Sequence, residues 1–135
     1  MKGIADTGFV VAFANRRDRF HDWAVSVASQ ISAPLLTCDA VLAEAAFHLG
    51  DARVVLEFVV RGLLSPSIVI AEHVSRLCDL AHRFKDRKPD LADLCLIRLS
   101  ELHPHLPVIT IDNQDFRVYR RNRNEAIPLI LPPNI

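Results

Sequence analysis

Five acidic residues occur within apolar segments or directly after them, where a carboxylate is costly to bury. They are Asp6, Glu44, Asp90, Asp93 and Asp112. The second interrupts an apolar run, and the third and fourth lie one helical turn apart. Such carboxylates need a positive group to compensate them, and few lysine or arginine residues are close to them in sequence. A divalent cation is a natural compensator, because hard cations prefer oxygen ligands.

Carboxylates gathered around Mg²⁺ or Mn²⁺ suit the hydrolysis of a phosphodiester bond. Because the carboxylates repel one another, we expect at least one to have a raised pKa in the metal-free protein. The ion relieves this repulsion, makes a nucleophile from water and stabilises the charge on a phosphoryl group. In this interpretation Asp6, Asp93 and Asp112 are metal ligands, and Glu44 binds the metal or orients the attacking water. No cysteine or histidine is placed to indicate zinc.

Each acid taken singly also has a structural explanation. Asp6 suits a turn or a helix cap, and Glu44 suits a solvent-facing position. Asp90 is more typical of a helix N-terminus than of a metal site, and Asp93 is open to the same explanation. Asp112 is followed by residues typical of turns. The joint pattern indicates function more strongly than any one member does.

Strand-like and helix-like segments alternate along the chain, which predicts an α/β domain with a mostly parallel sheet covered by helices. Strands are predicted at residues 2–5, 34–37, 67–71, 108–111 and 127–131, after which residues 132–135 cannot continue the last one. Helices are predicted at residues 8–14, 20–31, 40–49 (with Asp39 as N-cap), 52–61, 72–84 and 89–102. Ligands of such sheets bind beyond the carboxyl ends of the strands, so we expect one rim of the sheet to gather the acids.

The composition fits one domain covering residues 1–135, located in the cytoplasm. Sixteen basic and sixteen acidic residues leave no net charge, which weakly disfavours a strongly electrostatic nucleic-acid binder. No apolar stretch is long enough for a membrane span, and the N-terminus does not read as a secretory signal. Cys38, Cys78 and Cys95 lack metal-type spacing and are expected to be buried thiols in a reducing compartment.

Four stretches, in chain order, carry a family resemblance. They are residues 4–8 with 17–24, residues 36–44, residues 86–94 and residues 109–120. Together they resemble the PIN-domain ribonucleases, specifically the VapC-type toxins of prokaryotic toxin–antitoxin pairs. The combination is more specific than any one of these motifs alone.

The resemblance implies a three-layer α/β/α fold and Mg²⁺- or Mn²⁺-dependent endoribonuclease activity. It places the family's catalytic and metal-binding acids on Asp6, Glu44, Asp93 and Asp112, with Asp90 as a further acid. It also implies a homodimer and a small antitoxin protein whose tail occupies the active groove. A hydropathy that is high for a small monomer agrees with a surface covered by a partner.

Residues near the acids are candidates for binding the RNA substrate. Thr7 and Thr110 each neighbour a proposed ligand. Arg117, Arg120, Arg121 and Arg123 form a basic cluster around Tyr119. The arginines are suited to RNA phosphates and the tyrosine to base stacking, but a solvated arginine face explains the cluster equally well.

Three other classes of protein are weighed against this interpretation. A non-catalytic PIN-fold protein that binds RNA or another partner is disfavoured by the complete set of four acids. A phosphoacceptor receiver domain needs a second acid beside Asp6 and a lysine after a late strand, and neither is present. A pure interaction subunit, suggested by the high hydropathy, would have no metal-dependent activity.

Overall fold

The fold is that of a computed structural model, which describes residues 1–133. Asn134 and Ile135, in the tail after the last predicted strand, lie outside the described residues.

Short strands alternate with helices along the described chain. The helices are α1 (Thr7–Ala14), α2 (His21–Gln30), α3 (Asp39–Leu49), α4 (Ala52–Val60), α5 (Val74–Arg83), α6 (Leu91–Leu102) and α7 (Asp115–Val118). The strands are β1 (Ile4–Ala5), β2 (Leu35–Thr37), β3 (Leu64–Pro66), β4 (Val108–Ile109), β5 (Arg120–Arg121), β6 (Glu125–Ala126) and β7 (Leu129–Ile130).

The central sheet consists of five parallel strands in the order β3-β2-β1-β4-β7. β1 lies in the middle, and its register pairs Ile4 with Val108 and Ala5 with Ile109 of β4. The chain adds β2 and β3 on one side of β1 and then β4 and β7 on the other. A reversal of this kind opens a crevice beyond the carboxyl ends of the two strands that flank it. The predicted α/β class and mostly parallel sheet are confirmed, and the arrangement is consistent with three α/β/α layers.

The core is organised around α6, which packs against β1, α3 and α5. Its fully or almost fully buried residues are Ala92, Leu94, Cys95, Leu96, Ile97, Leu99 and Ser100. A helix that is apolar on nearly every side suits the interior of the fold. The position of its first turn is therefore fixed by extensive packing rather than by local sequence alone.

The third strand differs from the sequence prediction. A β-branched run predicts it at residues 67–71, but β3 comprises Leu64–Pro66, and a 3₁₀ turn covers Ile70–Glu72. Leu64 is buried and pairs with Leu35 of β2. Pairing with the neighbouring strand therefore overrides the local β propensity.

Smaller differences occur at helix ends and after β4. Asp39 is the first residue of α3 and not its N-cap, which is Cys38. The helix predicted from residue 72 begins at Val74. The arginine-rich stretch forms α7 and the antiparallel β5–β6 hairpin, which the sequence reading did not predict. Asn122 adopts the left-handed conformation (φ 53°) in this hairpin, a region that asparagine tolerates better than most residues.

The cysteines only partly match the expectation of buried thiols. Cys38 and Cys95 are buried, whereas Cys78 is exposed on α5, so the expectation is wrong for that residue. All three are free. Within residues 1–133, no helix combines the length and the apolar character needed to cross a membrane.

Candidate acidic site at the strand ends

Asp6 is held at the crevice between β1 and β4 by the register of the sheet. It directly follows Ala5, so the pairing of Ala5 with Ile109 brings it beside Thr110. The Thr110 hydroxyl donates to Oδ2 of Asp6 at 2.6 Å, and the Thr7 amide donates to Oδ1 at 2.7 Å. Asp6 also serves as the N-cap of α1 and is only 8% exposed. Both of its oxygens are thus oriented by neighbours.

Asp112 lies in the loop that leads from β4 into α7. The strand ends at Ile109, earlier than the sequence predicts, so Asp112 follows it at a distance of three residues. Its amide donates to the Thr110 hydroxyl at 2.9 Å, and its Oδ1 accepts from the Asp115 amide at 2.9 Å. Thr110 therefore connects Asp6 to the backbone of Asp112.

Asp90 and Asp93 come from the N-terminus of α6. Asp90 is the N-cap, and its Oδ1 accepts from the Asp93 amide at 2.8 Å, as capping aspartates do. Oδ2 of Asp93 accepts from the hydroxyl of Tyr119 at 2.9 Å. The capping role predicted as the alternative for Asp90 is therefore present, and it orients the turn that carries Asp93.

Glu44 reaches the same crevice from the second turn of α3. The Thr7 hydroxyl donates to its Oε2 at 2.8 Å. Asp90 lines the same cavity, so two carboxyl groups of like charge meet there. His48, one helical turn beyond Glu44, contributes a favourable interaction with its charge.

All five acids singled out in the sequence line one open cavity of about 470 Å³. The other lining residues are Thr7, Gly8, Val11, Asp18, His48 and Ile111. Neither lysine nor arginine is among them. Within the described chain, however, no three histidine, cysteine, aspartate or glutamate side chains form a ready-made metal-binding group. The acids therefore line one cavity, and most of them carry hydrogen bonds to neighbouring residues.

The charges in this cavity alter the acidity of three groups. Burial raises the pKa of Asp6 to about 6, the hydrogen bonds from Thr110 and Thr7 oppose the rise, and the charges of Asp112 and Asp90 add to it. Burial and the charge of Asp90 raise the pKa of Asp93 to about 7, although the Tyr119 hydrogen bond opposes this.

The pKa of Glu44 is also raised, first by burial, with the Thr7 bond opposing and Asp90 adding to the rise. Asp90 contributes to all three shifts. The crowding of carboxylates expected from the sequence is therefore present.

Three contributors to this site were missed by the sequence reasoning. Asp18 and His48 line the cavity, and Tyr119 bonds to Asp93. The spacing of His48 from Glu44, one turn along α3, was a usable signal. No local signal could place Asp18 or connect Tyr119 with Asp93, because these contacts join distant parts of the chain.

The predicted RNA-binding residues separate into different environments. Arg117 is exposed, and Arg120 donates from Nη1 to the carbonyls of Arg117, Val118 and Tyr119 at 2.7–3.3 Å. With Phe116 and residues of the last two strands, Arg117 and Arg120 line a second groove, which shares no lining residue with the acidic cavity. Their contact with RNA stays a prediction, and so does that of Thr7.

Three of these predictions are wrong. Arg121 is buried, and its guanidinium donates to the backbone carbonyls of Ser100 and Pro104 and to Glu125, so it joins the hairpin to α6. Thr110 is fully buried with its hydroxyl on Asp6, and Tyr119 is fully buried and cannot stack on a base. A sequence cannot distinguish a buried arginine or tyrosine from an exposed one when both lie in a polar stretch.

Comparison with known proteins adds no identification. No protein-family model matches the sequence, and no curated protein is significantly similar to it.

Proposed function

We propose that this protein is a Mg²⁺- or Mn²⁺-dependent endoribonuclease of the PIN-domain type and acts as the toxin of a type II toxin–antitoxin pair. The observation that carries the proposal is the convergence of Asp6, Glu44, Asp90, Asp93 and Asp112 on one cavity whose lining includes neither lysine nor arginine. These acids come from β1, α3, α6 and the loop after β4, so chain neighbourhood does not explain their meeting. They lie at the topological switch point, where parallel α/β sheets bind their ligands.

The donor set fits a hard divalent cation. Carboxylate oxygens are the ligands that Mg²⁺ and Mn²⁺ prefer. Burial raises the pKa values of Asp6 and Asp93, and the charges of neighbouring carboxylates add to the rise, so a bound cation would stabilise the ionised forms. The residues that would hold the ion are Asp6, Asp93 and Asp112, with Glu44 and Asp90 at its edge. No three of these side chains form a ready-made group among residues 1–133, but Mg²⁺ is commonly held by one or two carboxylates together with waters.

The protein's own residues supply orientation and proton handling. A bound ion would activate water and neutralise charge on the scissile phosphate. The Thr7 hydroxyl holds Oε2 of Glu44, which orients this carboxyl group in the cavity, where it would act as a general base towards water. The buried Thr110, directly after β4, orients Asp6 by donating to its Oδ2. The exposed Arg117 is close to Asp112 in sequence but lines a separate groove, and it is suited to an RNA phosphate away from the scissile bond.

An apolar surface supports the proposed protein partners. Phe47 of α3 and Leu56 and Val60 of α4 are 82%, 58% and 79% exposed. The two helices that carry them pack against each other. Such surfaces typically mark protein interaction sites. A homodimer and a small antitoxin protein remain the proposed partners.

A second candidate function is a PIN-fold RNA-binding or interaction protein without catalysis. The observation that favours it is that no ready-made group of three ligands occurs in residues 1–133. In this alternative, protons instead of a cation compensate Asp6 and Asp93, whose pKa values are raised by burial.

The deciding experiment is cleavage of a panel of structured and unstructured RNAs by the purified full chain. Reactions contain Mg²⁺, Mn²⁺ or EDTA, and Asp6→Asn is assayed in parallel. We expect cleavage that requires the metal and is lost in the variant. Asp22→Asn is the matched control, because Asp22 is exposed in the first turn of α2 and does not line the cavity.

Two results would count against the proposal in different ways. Equal cleavage by Asp6→Asn and the wild-type protein would show that the activity is a contaminant or uses another site. No cleavage with either metal by a folded protein that still binds RNA would favour the non-catalytic alternative.

A further inference from the structure

Tyr119 is a fully buried residue with a fixed ring. Its relative exposure is 0%, and the rings of Phe84 and Phe116 pack edge-on against it with centroid distances of 5.2 and 5.3 Å. The hydroxyl donates to Oδ2 of Asp93 at 2.9 Å. A rigid tyrosine therefore presents a single donor to one carboxylate of the acidic cavity.

This contact completes a connection between two acids through α7. The helix begins where the Asp115 amide donates to Oδ1 of Asp112, and it ends where the Tyr119 amide donates to the carbonyl of Asp115. Asp112 is thus bonded at one end of this short helix and Asp93 at the other. The two acids come from different elements, and α7 sets their relative position.

We infer that Tyr119 is a positioning residue of the acidic site, whose hydroxyl orients the Asp93 carboxylate against Asp112 for divalent-cation binding. The inference rests on the proposed function, since it assigns a role towards the metal of that site. Tyr119 itself touches neither metal nor RNA; it acts through Asp93.

The geometry argues against the simpler explanation that the buried Tyr119 hydroxyl only needs a hydrogen-bond acceptor. A buried tyrosine needs a partner, and any backbone carbonyl would serve. Here the partner is a carboxylate on the wall of a cavity, and the bond occupies only Oδ2. Among residues 1–133, no side chain or amide donates to Oδ1 of Asp93, so this oxygen is available to coordinate a cation. Outer hydrogen bonds of this kind fix ligands in metal sites, and their loss typically weakens metal binding by about 10- to 100-fold.

The first test is the Mn²⁺ affinity of Tyr119→Phe, measured by isothermal titration calorimetry on the full chain. This change removes one oxygen and leaves the packing of the ring in place. We expect the dissociation constant to rise by about 10- to 100-fold. Ser100→Ala is the matched control: it also removes a buried hydroxyl, on the helix that carries Asp93, but its partner is Arg121. It should leave Mn²⁺ affinity unchanged.

A second measurement keeps Tyr119 in place and therefore does not depend on whether Tyr119→Phe folds. Tyr119 is the only tyrosine in the chain, so incorporation of 3-fluorotyrosine gives a ¹⁹F NMR signal from this residue alone. We expect this signal to shift on titration with Mg²⁺ and to saturate with the dissociation constant that calorimetry gives for Mg²⁺.

The outcomes separate this inference from the proposed function. Suppose that the wild-type protein binds Mn²⁺ and cleaves RNA. An unchanged Mn²⁺ affinity in Tyr119→Phe, or a ¹⁹F signal that does not shift with Mg²⁺, would then overturn the inference alone. Wild-type protein that binds no divalent cation would overturn the proposed function and this inference with it.

Discussion

The substitution Asp6→Asn should change how the stability of the metal-free protein depends on pH. Asp6 is 8% exposed and accepts hydrogen bonds from Thr7 and Thr110. The charges of Asp112 and Asp90 act on it as well. An asparagine has nearly the same shape and can still accept from the Thr7 amide, but it never carries the charge.

The magnitude follows from the pKa of Asp6, which burial raises from 3.8 to about 6. The folded protein then holds the proton more tightly than the unfolded chain does. The free energy of unfolding therefore falls as the pH rises from about 4 to about 6, and it stays lower above that range. At about 1.36 kcal/mol per pKa unit, ionised Asp6 costs about 3 kcal/mol at pH 8.

Asp6→Asn does not pay the cost of ionising this buried group. Any change in the free energy of unfolding caused by the amide itself is the same at every pH. Because a small part of this cost is already present at pH 4, the free energy of unfolding of Asp6→Asn, minus that of wild type, should increase by about 2 kcal/mol between pH 4 and pH 8. The charge of Asp6 also contributes to the raised pKa of Asp93, so its removal acts in the same direction.

Urea denaturation in EDTA across this pH range measures the difference. The fluorescence of Trp23, the one tryptophan in the chain, reports unfolding. Asp22→Asn should show no pH-dependent difference, because Asp22 is exposed. With Mn²⁺ at 100 times its dissociation constant, wild type should gain about 2.7 kcal/mol and the variant much less. A difference between Asp6→Asn and wild type that is constant from pH 4 to pH 8 would refute the reasoning.

Three further predictions concern the residues around the acids. Thr110→Val removes the donor to Asp6 and the acceptor of the Asp112 amide, so unfolding in urea should show a loss of about 1–3 kcal/mol, and RNA cleavage should slow by about 10- to 100-fold; an unaltered rate would show that Thr110 does not position Asp6. Arg117→Ala should weaken RNA binding, measured by fluorescence anisotropy, and should lower the slope of log affinity against log salt concentration by about 1. Arg121→Ala should instead lower the free energy of unfolding by about 2–3 kcal/mol, because it leaves the Ser100 and Pro104 carbonyls unpaired. The reverse pattern would show that the burial of Arg121 has been misassigned. Gly8→Ala places a Cβ 2.5 Å from Cγ1 and 2.7 Å from Cδ1 of Ile111 and should destabilise the protein by about 1–3 kcal/mol. Partial recovery is expected in the double variant with Ile111→Ala, which lacks both atoms, and a neutral effect of Gly8→Ala would mean that the loop before Asp112 moves at little cost.

The sequence predicted the elements better than their ends. Most helices are found within a few residues of their predicted bounds, because apolar spacing and caps are local signals. β3 was misplaced, since its position is decided by the pairing of Leu64 with Leu35 and not by its own β propensity. The β5–β6 hairpin was missed because its stability comes from Arg121 contacts with α6, which no local pattern records.

By itself, the sequence determined the α/β class and the five acids, because alternating apolar segments and misplaced carboxylates are properties of residue type and order. Only the tertiary structure decided which side chains those acids meet. Thr110 reaches Asp6 across 104 positions of chain and Tyr119 reaches Asp93 across 26. It also decided that Arg121 and Tyr119 are internal, because burial depends on the packing of distant elements. Contacts of this kind arise when the sheet register and the position of α6 bring separate segments together, and residue order alone does not specify either.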